Sequence, residues 1–234
     1  MKTKRSVLSV LVCIITVSCA LSLCACNGAG GASDSGKPAE EERVVKTLMV
    51  GDSLFDLWKD NCVEDLRGVE NLVNVAVGGT SSIYWQKSQK ILKRENPTTI
   101  IMSLGTNDIA DLNRIGECAA RGGDNYEQCL QGVLEMFKET IPDVHIYLLT
   151  INICGENIRW NKRAEIIACN RVMREYCEGK DWVEMVETEY AFYDDDNYDE
   201  KPNAEYFVSD YLHFSRNGYI RLREILRKAL KLDK

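Results

Sequence analysis

The stretch MVGDSLFDLW, Met49 to Trp58, runs from an apolar segment directly into a turn. The segment RVVKTLMVG, residues 43–51, is rich in β-branched residues and ends on glycine, which is typical of a strand. Gly51 and Asp52 are ordinary turn residues. They also place the hydroxyl of Ser53 at the carboxyl end of the strand. The rest of the chain decides whether this serine only belongs to a turn or acts as a nucleophile.

Beyond this stretch, short apolar segments alternate with amphipathic ones. Four further segments predict strands: NLVNVAVGG (71–79), TTIIMSLG (98–105), VHIYLLTIN (144–152) and DWVEMVE (181–187). Apolar residues spaced three and four apart predict helices over residues 81–96, 125–141, 161–180 and 215–231. Strands that are apolar throughout favour burial on both faces, and the β-α-β order then predicts an α/β fold with an open, doubly wound, mostly parallel sheet. Functional residues of such sheets follow the carboxyl ends of strands.

The overall composition indicates one soluble folded domain. The chain has 234 residues, of which 45% are hydrophobic and 28% charged, enough for a sizeable core. Its formal net charge is −7, and no basic run follows the N-terminus. Binding to nucleic acid requires a positive surface, so nucleic acid is not expected as a partner.

The N-terminus differs in kind from the rest. Lys2, Lys4 and Arg5 precede the apolar run VLSVLVCIITVSCALSLCAC, residues 7–26, which is typical of an export signal. Its end, LCAC, resembles a bacterial lipobox, which implies lipidation of Cys26 and a lipid anchor in the bacterial cell membrane. We therefore predict a lipoprotein signal peptide over 1–25, a flexible tether over 26–43 and a domain over 44–234, located outside the cytoplasm. A plain signal peptide or a retained membrane helix are the alternatives.

Cysteines in the body of the chain permit disulfides if the domain is exported. There are six: Cys62, Cys118, Cys129, Cys154, Cys169 and Cys177. The most favoured pair is Cys118–Cys129, which would close the loop CAARGGDNYEQC, and buried free thiols are the alternative. The cysteine spacing is not that of a zinc site, and only two histidines are present, so we expect neither a metal nor a cofactor.

Turn or polar residues stand at the ends of three of the predicted elements. The second strand ends in Gly78-Gly79, the third is followed by GTND (105–108), and DYLH (210–213) precedes the last helix. Taken alone, each is a common turn or capping sequence. Together with Ser53 they supply what acyl transfer needs, which is a hydroxyl, a base, a carboxylate and oxyanion donors. His213 is the candidate base, because His145 lies early in its strand, at the opposite end.

With GDSL around Ser53, GxND at 105–108 and DxxH at 210–213, the chain resembles the SGNH/GDSL hydrolase family over about residues 44–234. The resemblance implies a three-layer α/β/α sandwich with a five-stranded parallel sheet. It also implies that Ser53 is the nucleophile, His213 the general base and acid, and Asp210 the partner that orients His213.

The resemblance further implies an oxyanion hole. Its donors would be the backbone N–H groups of Ser53 and Gly79 and the side-chain amide of Asn107. Gly79 is chosen over Gly78 because its offset from Asn74 matches the family pattern. Thr80 stands where some family members have an aspartate, a position that is not catalytic.

These residues predict a serine esterase that forms a covalent acyl-serine intermediate and needs no cofactor. Short-chain acyl esters on carbohydrate are the favoured substrates, because an exported, tethered enzyme meets polysaccharide. The acidic segment FYDDDNYDEKPNAEYFVSD, residues 192–210, is expected beside the site and would favour a neutral substrate over an anionic one. Trp58 and Trp85 would line an acyl pocket or belong to the core.

Other functions remain open from the sequence. Among enzymes, the alternatives are a lipase, lysophospholipase or thioesterase, and an acyltransferase that acts on cell-wall hydroxyls. A different class is a non-catalytic surface lipoprotein that binds glycan. The intact set of Ser53, Asp210 and His213 argues against that class, because a binding module needs no base near a serine. The sequence does not indicate an oligomeric state.

Overall fold

Five parallel strands form one sheet in the order β2-β1-β3-β4-β5. The structure is a computed structural model that describes residues 44–110, 126–155, 162–194, 197–198 and 201–233. The strands are β1 Thr47–Gly51, β2 Val73–Asn74, β3 Thr99–Ser103, β4 His145–Leu149 and β5 Val183–Val186. The chain steps outward from β1 to β2 and then crosses to β3 on the other side of β1, so the sheet is doubly wound. The predicted fold class is confirmed.

Helices cover both faces of the sheet. They are α1 Ser53–Asp56, α2 Cys62–Asp65, α3 Ser82–Trp85, α4 Gln89–Glu95, α5 Thr106–Ala110, α6 Tyr126–Thr140, α7 Arg163–Cys177 and α8 Arg216–Ala229. Side chains of β1 alternate between the faces: Leu48 and Val50 pack in one apolar cluster with residues of α3, α4, α6 and α7. Met49 packs in another with residues of α1, α2 and α8. This alternation produces the three layers.

The prediction of one continuous helix over residues 81–96 is wrong. Residues 81–96 form two short helices, α3 and α4, rather than one. Ser88 lies at the break, where its hydroxyl donates to the carbonyl of Tyr84 at 3.1 Å and its N–H donates to the carbonyl of Trp85 at 3.0 Å. A serine that bonds to the preceding turn competes with the regular helical pattern.

The second strand is much shorter than predicted. Only Val73–Asn74 is regular strand, at the edge of the sheet, although 71–79 has a strand-like sequence. Its hydrogen bonds to β1 nevertheless continue, because the N–H groups of Val75 and Val77 donate to the carbonyls of Met49 and Gly51 at 3.0 and 3.1 Å. The segment therefore stays beside β1 as far as the glycine pair that follows it.

The two tryptophans and most aromatic residues of the acidic segment belong to the core. Trp58 and Trp85 are fully buried, so neither offers an exposed wall for an acyl chain. Phe192, Tyr193 and Phe207 are buried as well.

Several predictions concern residues that the structure does not describe. The signal peptide, the tether and Cys26 lie outside the described residues, and so does Cys118, so these remain predictions. Cys62 and Cys177 are buried free thiols. Among the described residues, no helix has the length and apolar character needed to cross a membrane.

Candidate active site

Ser53 is placed by the turn that ends β1. Asp52 caps α1: its Oδ1 accepts a hydrogen bond from the N–H of Leu54 at 3.0 Å. This carboxylate is buried, while Ser53, the first residue of α1, stays half-exposed. The Gly-Asp pair thus ends the strand and begins a helix within two residues, which leaves the hydroxyl at the edge of the sheet.

The structure brings Ser53 together with the other two predicted catalytic residues. Nε2 of His213 lies 2.9 Å from Oγ of Ser53. Nδ1 of the same ring lies 2.6 Å from Oδ2 of Asp210. A carboxylate, an imidazole and a hydroxyl in one hydrogen-bonded series can pass a proton from the hydroxyl to the ring while the carboxylate stabilises the resulting charge.

Asp210 also organises the loop on which it lies. Its Oδ1 accepts from the backbone N–H groups of Leu212 and His213, both at 2.9 Å. Partial burial raises the pKa of Asp210, but the hydrogen bonds from His213 and Leu212 outweigh it and hold the pKa below its usual value. The carboxylate is therefore ionised at neutral pH, as an orienting partner of the imidazole must be.

Close packing holds this loop against α8. Phe207 and Phe214, on either side of it, form an antiparallel bridge. Gly218, in the first turn of α8, lies so near the loop that a Cβ there would overlap the carbonyl oxygen of Tyr206 and approach Cβ of Phe214 to 2.9 Å. Only glycine permits this approach, which fixes the distance between α8 and the segment that carries His213.

A tyrosine connects α8 to the nucleophile's helix. The hydroxyl of Tyr219 donates to the carbonyl of Leu54 at 3.0 Å, and its ring stacks on Trp58 with centroids 5.4 Å apart. Sequence reasoning missed this contact, because Tyr219 fits the apolar stripe of α8 and nothing local indicates where its hydroxyl points.

A buried carboxylate provides a second connection. Asp65 accepts from Nε1 of Trp58 at 2.8 Å and from both terminal nitrogens of Arg216 at 2.6 and 2.8 Å. These hydrogen bonds, first of all the one from Arg216, lower the pKa of Asp65. Arg216 begins α8 only three residues after His213. This bidentate ion pair therefore connects the segment that carries His213 to the segment that follows Ser53.

The glycine pair after β2 runs next to the nucleophile. The N–H of Gly78 donates to Oδ2 of Asp56 at 3.1 Å, and a Cβ on Gly78 would lie 3.8 Å from Cβ of Ser53. Gly79 has φ +73°, a left-handed conformation that side chains disfavour. Asn74, singled out from the sequence only as a landmark, donates to the carbonyl of Phe55 at 2.9 Å and so ties this segment to α1.

The third predicted oxyanion residue is anchored to the same segment. The amide of Asn107 donates to the carbonyl of Thr80 at 2.9 Å, which fixes the direction of the amide. The hydroxyl of Thr80 in turn accepts from Nε1 of Trp85 at 3.1 Å. Thus Thr80, where some family members have an aspartate, links Asn107 to the segment that carries Gly79.

Asp108 has a role that the sequence did not reveal. Both of its oxygens lie within hydrogen-bonding distance of the N–H of Ser82, at 3.1 and 3.2 Å, so it caps α3 from across the loop rather than its own helix. Burial, with a smaller contribution from the charge of Asp52, raises the pKa of Asp108 to about 7.

Other candidate features do not contribute to this site. His145 begins β4 at the opposite end of the sheet, where its Nε2 lies 3.9 Å from a carboxylate oxygen of Glu184. Within the described residues, no group of three or more His, Cys, Asp or Glu side chains is arranged to hold a metal ion.

Most of this chain matches the model of a known protein family. The model of the GDSL-like lipase/acylhydrolase family matches residues 49–221. No curated protein matches the chain at a significant level.

Solved structures share the fold at low sequence identity. A GDSL-like lipase from Bacteroides thetaiotaomicron has a TM-score of 0.61 and 14% identity, with 81% of this chain and 89% of that chain covered. A lipase/acylhydrolase from Enterococcus faecalis has a TM-score of 0.57 and 19% identity, with 80% of this chain and 96% of that chain covered. A catalytic mutant of an acetylxylan esterase from Geobacillus stearothermophilus has a TM-score of 0.58 and 17% identity, with 79% of this chain and 93% of that chain covered.

Proposed function

Since the chain belongs to the GDSL-like lipase/acylhydrolase family, whose members hydrolyse ester bonds, we propose that it is a serine esterase with Ser53 as nucleophile. The observation that carries this proposal is the continuous series in which Nε2 of His213 lies 2.9 Å from the Ser53 hydroxyl and Nδ1 lies 2.6 Å from Asp210. Ser53 follows the first strand and the other two residues precede the last helix. Packing of the core alone does not require them to meet.

The proposed reaction has two steps. Nε2 of His213 accepts the proton of Ser53 as Oγ attacks the ester carbonyl carbon, and the alcohol leaves with that proton. Water then attacks the acyl-serine and gives a proton to His213, which returns it to Ser53 as the acid departs. Asp210, ionised at neutral pH, holds the proton on Nδ1 and stabilises the imidazolium in both steps.

The oxyanion of each tetrahedral intermediate would be held by the backbone N–H groups of Ser53 and Gly79 and by the amide of Asn107. Support comes from the packing of the Gly78-Gly79 segment against Ser53 and from the bond that fixes the amide of Asn107 to Thr80. Donors fixed before the reaction are more effective than donors that must reorient during it.

Short-chain acyl esters of carbohydrate are the proposed substrates. In the described residues, the carboxylate end of the site is open: the side chain of Asp210 is 48% exposed and that of His213 25%. Trp58 and Trp85, the two tryptophans expected to line an acyl pocket, are buried and offer no wall for a long acyl chain. One structural neighbour is an acetylxylan esterase, which makes acetylated carbohydrate the first natural substrate to test.

Hydrolysis of 4-nitrophenyl acetate, butyrate and octanoate tests the proposal. We expect acetate to be hydrolysed fastest, and Ser53→Ala to abolish turnover while folding normally. Ser209→Ala is a matched control, because this exposed hydroxyl lies in the same loop as His213 but has no assigned role. A fluorophosphonate probe should add one mass increment to the wild type and none to Ser53→Ala.

Each other result selects an alternative. Preference for octanoate would favour a lipase or lysophospholipase, and acyl transfer to an added sugar in preference to water would favour an acyltransferase. Folded protein that neither hydrolyses these esters nor reacts with the probe would refute the esterase and favour a non-catalytic glycan-binding protein.

We also propose that the protein is exported and tethered to the bacterial membrane through lipidated Cys26. Support comes from the basic, apolar and LCAC segments at the N-terminus. In a bacterial host, Cys26→Ala should abolish incorporation of an alkyne-labelled fatty acid and move the protein out of the detergent phase. Cys24→Ala, the matched control, should retain both properties. Equal labelling of both variants would contradict anchoring at Cys26.

A further inference from the structure

A groove opens beside the proposed oxyanion residue Gly79, which is one of its lining residues, and extends along α3 and α4. Its volume is about 530 Å³, within the usual size range of small-molecule sites. An acetyl group fills only a small part of such a space. In the proposed esterase, the groove would therefore hold the larger part of the ester, which is the sugar alcohol.

The groove is positively charged. Lys87 and Lys90 line it, and none of its lining residues in the described part of the chain is acidic. Within the described part of the chain, neither lysine forms an ion pair, in contrast to Lys59, which lies 2.6 Å from Asp56. Two ammonium groups without partners favour an anion.

The remaining walls suit a ring. Tyr84 is 41% exposed and is held edge-on against the buried Trp85, with centroids 5.3 Å apart and planes at 80°. Ile83 and Ile91 contribute apolar surface to the same groove. An aromatic ring with one exposed face beside aliphatic side chains can pack against the C–H face of a sugar while polar groups contact its substituents.

We propose that this groove binds a sugar unit that carries a negative charge, so that the esterase acts on an acylated acidic glycan. The inference rests on the proposed function, since it assigns the alcohol part of the same substrate. It also replaces the neutral glycan expected from the acidic segment 192–210, because among the described residues the charged side chains that line the groove next to Gly79 are Lys87 and Lys90.

The experiment measures binding by calorimetry to the full-length Ser53→Ala protein, which cannot turn over a substrate. The probes are trigalacturonate, its fully methyl-esterified form as the neutral match, and glucose 6-phosphate and glucose as a second charged and neutral pair. We expect each anion to bind about three- to tenfold more tightly than its neutral match, as exposed ion pairs allow, and the preference to shrink as salt is added.

Two further variants assign the preference to the groove. Replacing both lysines, in Lys87→Met/Lys90→Met, should make charged and neutral probes bind equally. Lys93→Met, on α4 but outside the groove, should retain the preference. Whichever anion shows the larger preference identifies the charge as a carboxylate or a phosphate.

The proposal is overturned if neither anion binds more tightly than its neutral match, or if the preference survives the double replacement. Failure of the proposed function is recognised separately. It would show as absence of 4-nitrophenyl acetate turnover by the wild type, a measurement that does not involve the sugar probes.

Discussion

Replacing Asp210 by asparagine tests the proposed proton path with little change in shape. The amide oxygen of Asn can still accept from the backbone N–H groups of Leu212 and His213, which now bind Oδ1 at 2.9 Å. The amide nitrogen then faces Nδ1 of His213, where Oδ2 now lies at 2.6 Å. Because this nitrogen donates, it forces the ring proton onto Nε2, and the ring can no longer accept the proton of Ser53.

The expected fall in kcat depends on which of its two orientations the new side-chain amide adopts. Reversing it would restore the correct tautomer, but would break two backbone hydrogen bonds worth about 1 kcal/mol each. The reversed form is then only a few per cent of the population, which limits activity to roughly 3 × 10⁻² of the wild type. Without reversal, the same change in serine hydrolases with this triad costs about 10⁴ in kcat. We therefore expect kcat for 4-nitrophenyl acetate to fall by a factor between about 30 and about 10⁴.

Asp210→Ala provides the matched comparison. The side chain of Asp210 is 48% exposed, so water can enter the vacated space and accept the Nδ1 proton. We expect this variant to be more active than Asp210→Asn but less stable, by about 1–3 kcal/mol, because both backbone hydrogen bonds are lost. Steady-state kinetics compare the activities of the two variants, and urea unfolding compares their stabilities. If Asp210→Asn keeps more than about a tenth of wild-type kcat, or unfolds as easily as Asp210→Ala, the reasoning is refuted.

Three more substitutions test neighbouring features. Asn107→Ala should lower kcat about 10²–10³-fold with little change in KM. An unchanged kcat would show that this amide is not an oxyanion-hole donor. Asp108 has its pKa raised from 3.8 to about 7 on folding, so the folded state loses stability as pH rises between these values. Asp108→Asn should remove that loss, at most about 4 kcal/mol, and a difference from wild type that does not grow between about pH 5 and pH 8 in urea unfolding would contradict it. Gly218→Ala, which would place Cβ against a backbone carbonyl, should lower the free energy of unfolding by about 1–3 kcal/mol. A thermal midpoint equal to that of the wild type would show that α8 can move away.

The sheet and the positions of Ser53 and Asn107 could be predicted because their signals are local, whereas the roles of Asp210 and His213 came from the resemblance to the SGNH/GDSL family. Continuous apolar segments such as TTIIMSLG indicate buried parallel strands whatever they pack against. Since parallel strands end at one edge of the sheet, polar residues that follow them, such as Ser53 and Asn107, are brought together by topology alone.

The features that could not be predicted depend on contacts distant in the sequence. Asp65 lies in an unremarkable acidic stretch, and its bond to Arg216 joins residues 151 positions apart. Asp108 resembled a cap for its own helix, whereas its acceptor atoms serve α3, 26 positions earlier. The break between α3 and α4 depends on one serine hydroxyl that bonds backward instead of to water. The spacing of apolar residues along the sequence does not indicate which distant side chains will form hydrogen bonds with each other.

The hydrogen bond between Ser53 and His213 joins residues 160 positions apart. During synthesis, Ser53 therefore leaves the ribosome long before His213 is made, and in the folded protein the helix that follows His213 is bound to α1 through Tyr219. A nascent or truncated chain contains a serine with no partner to activate it. Under the proposed function, activity would require the chain at least as far as His213, and shorter chains would be inactive.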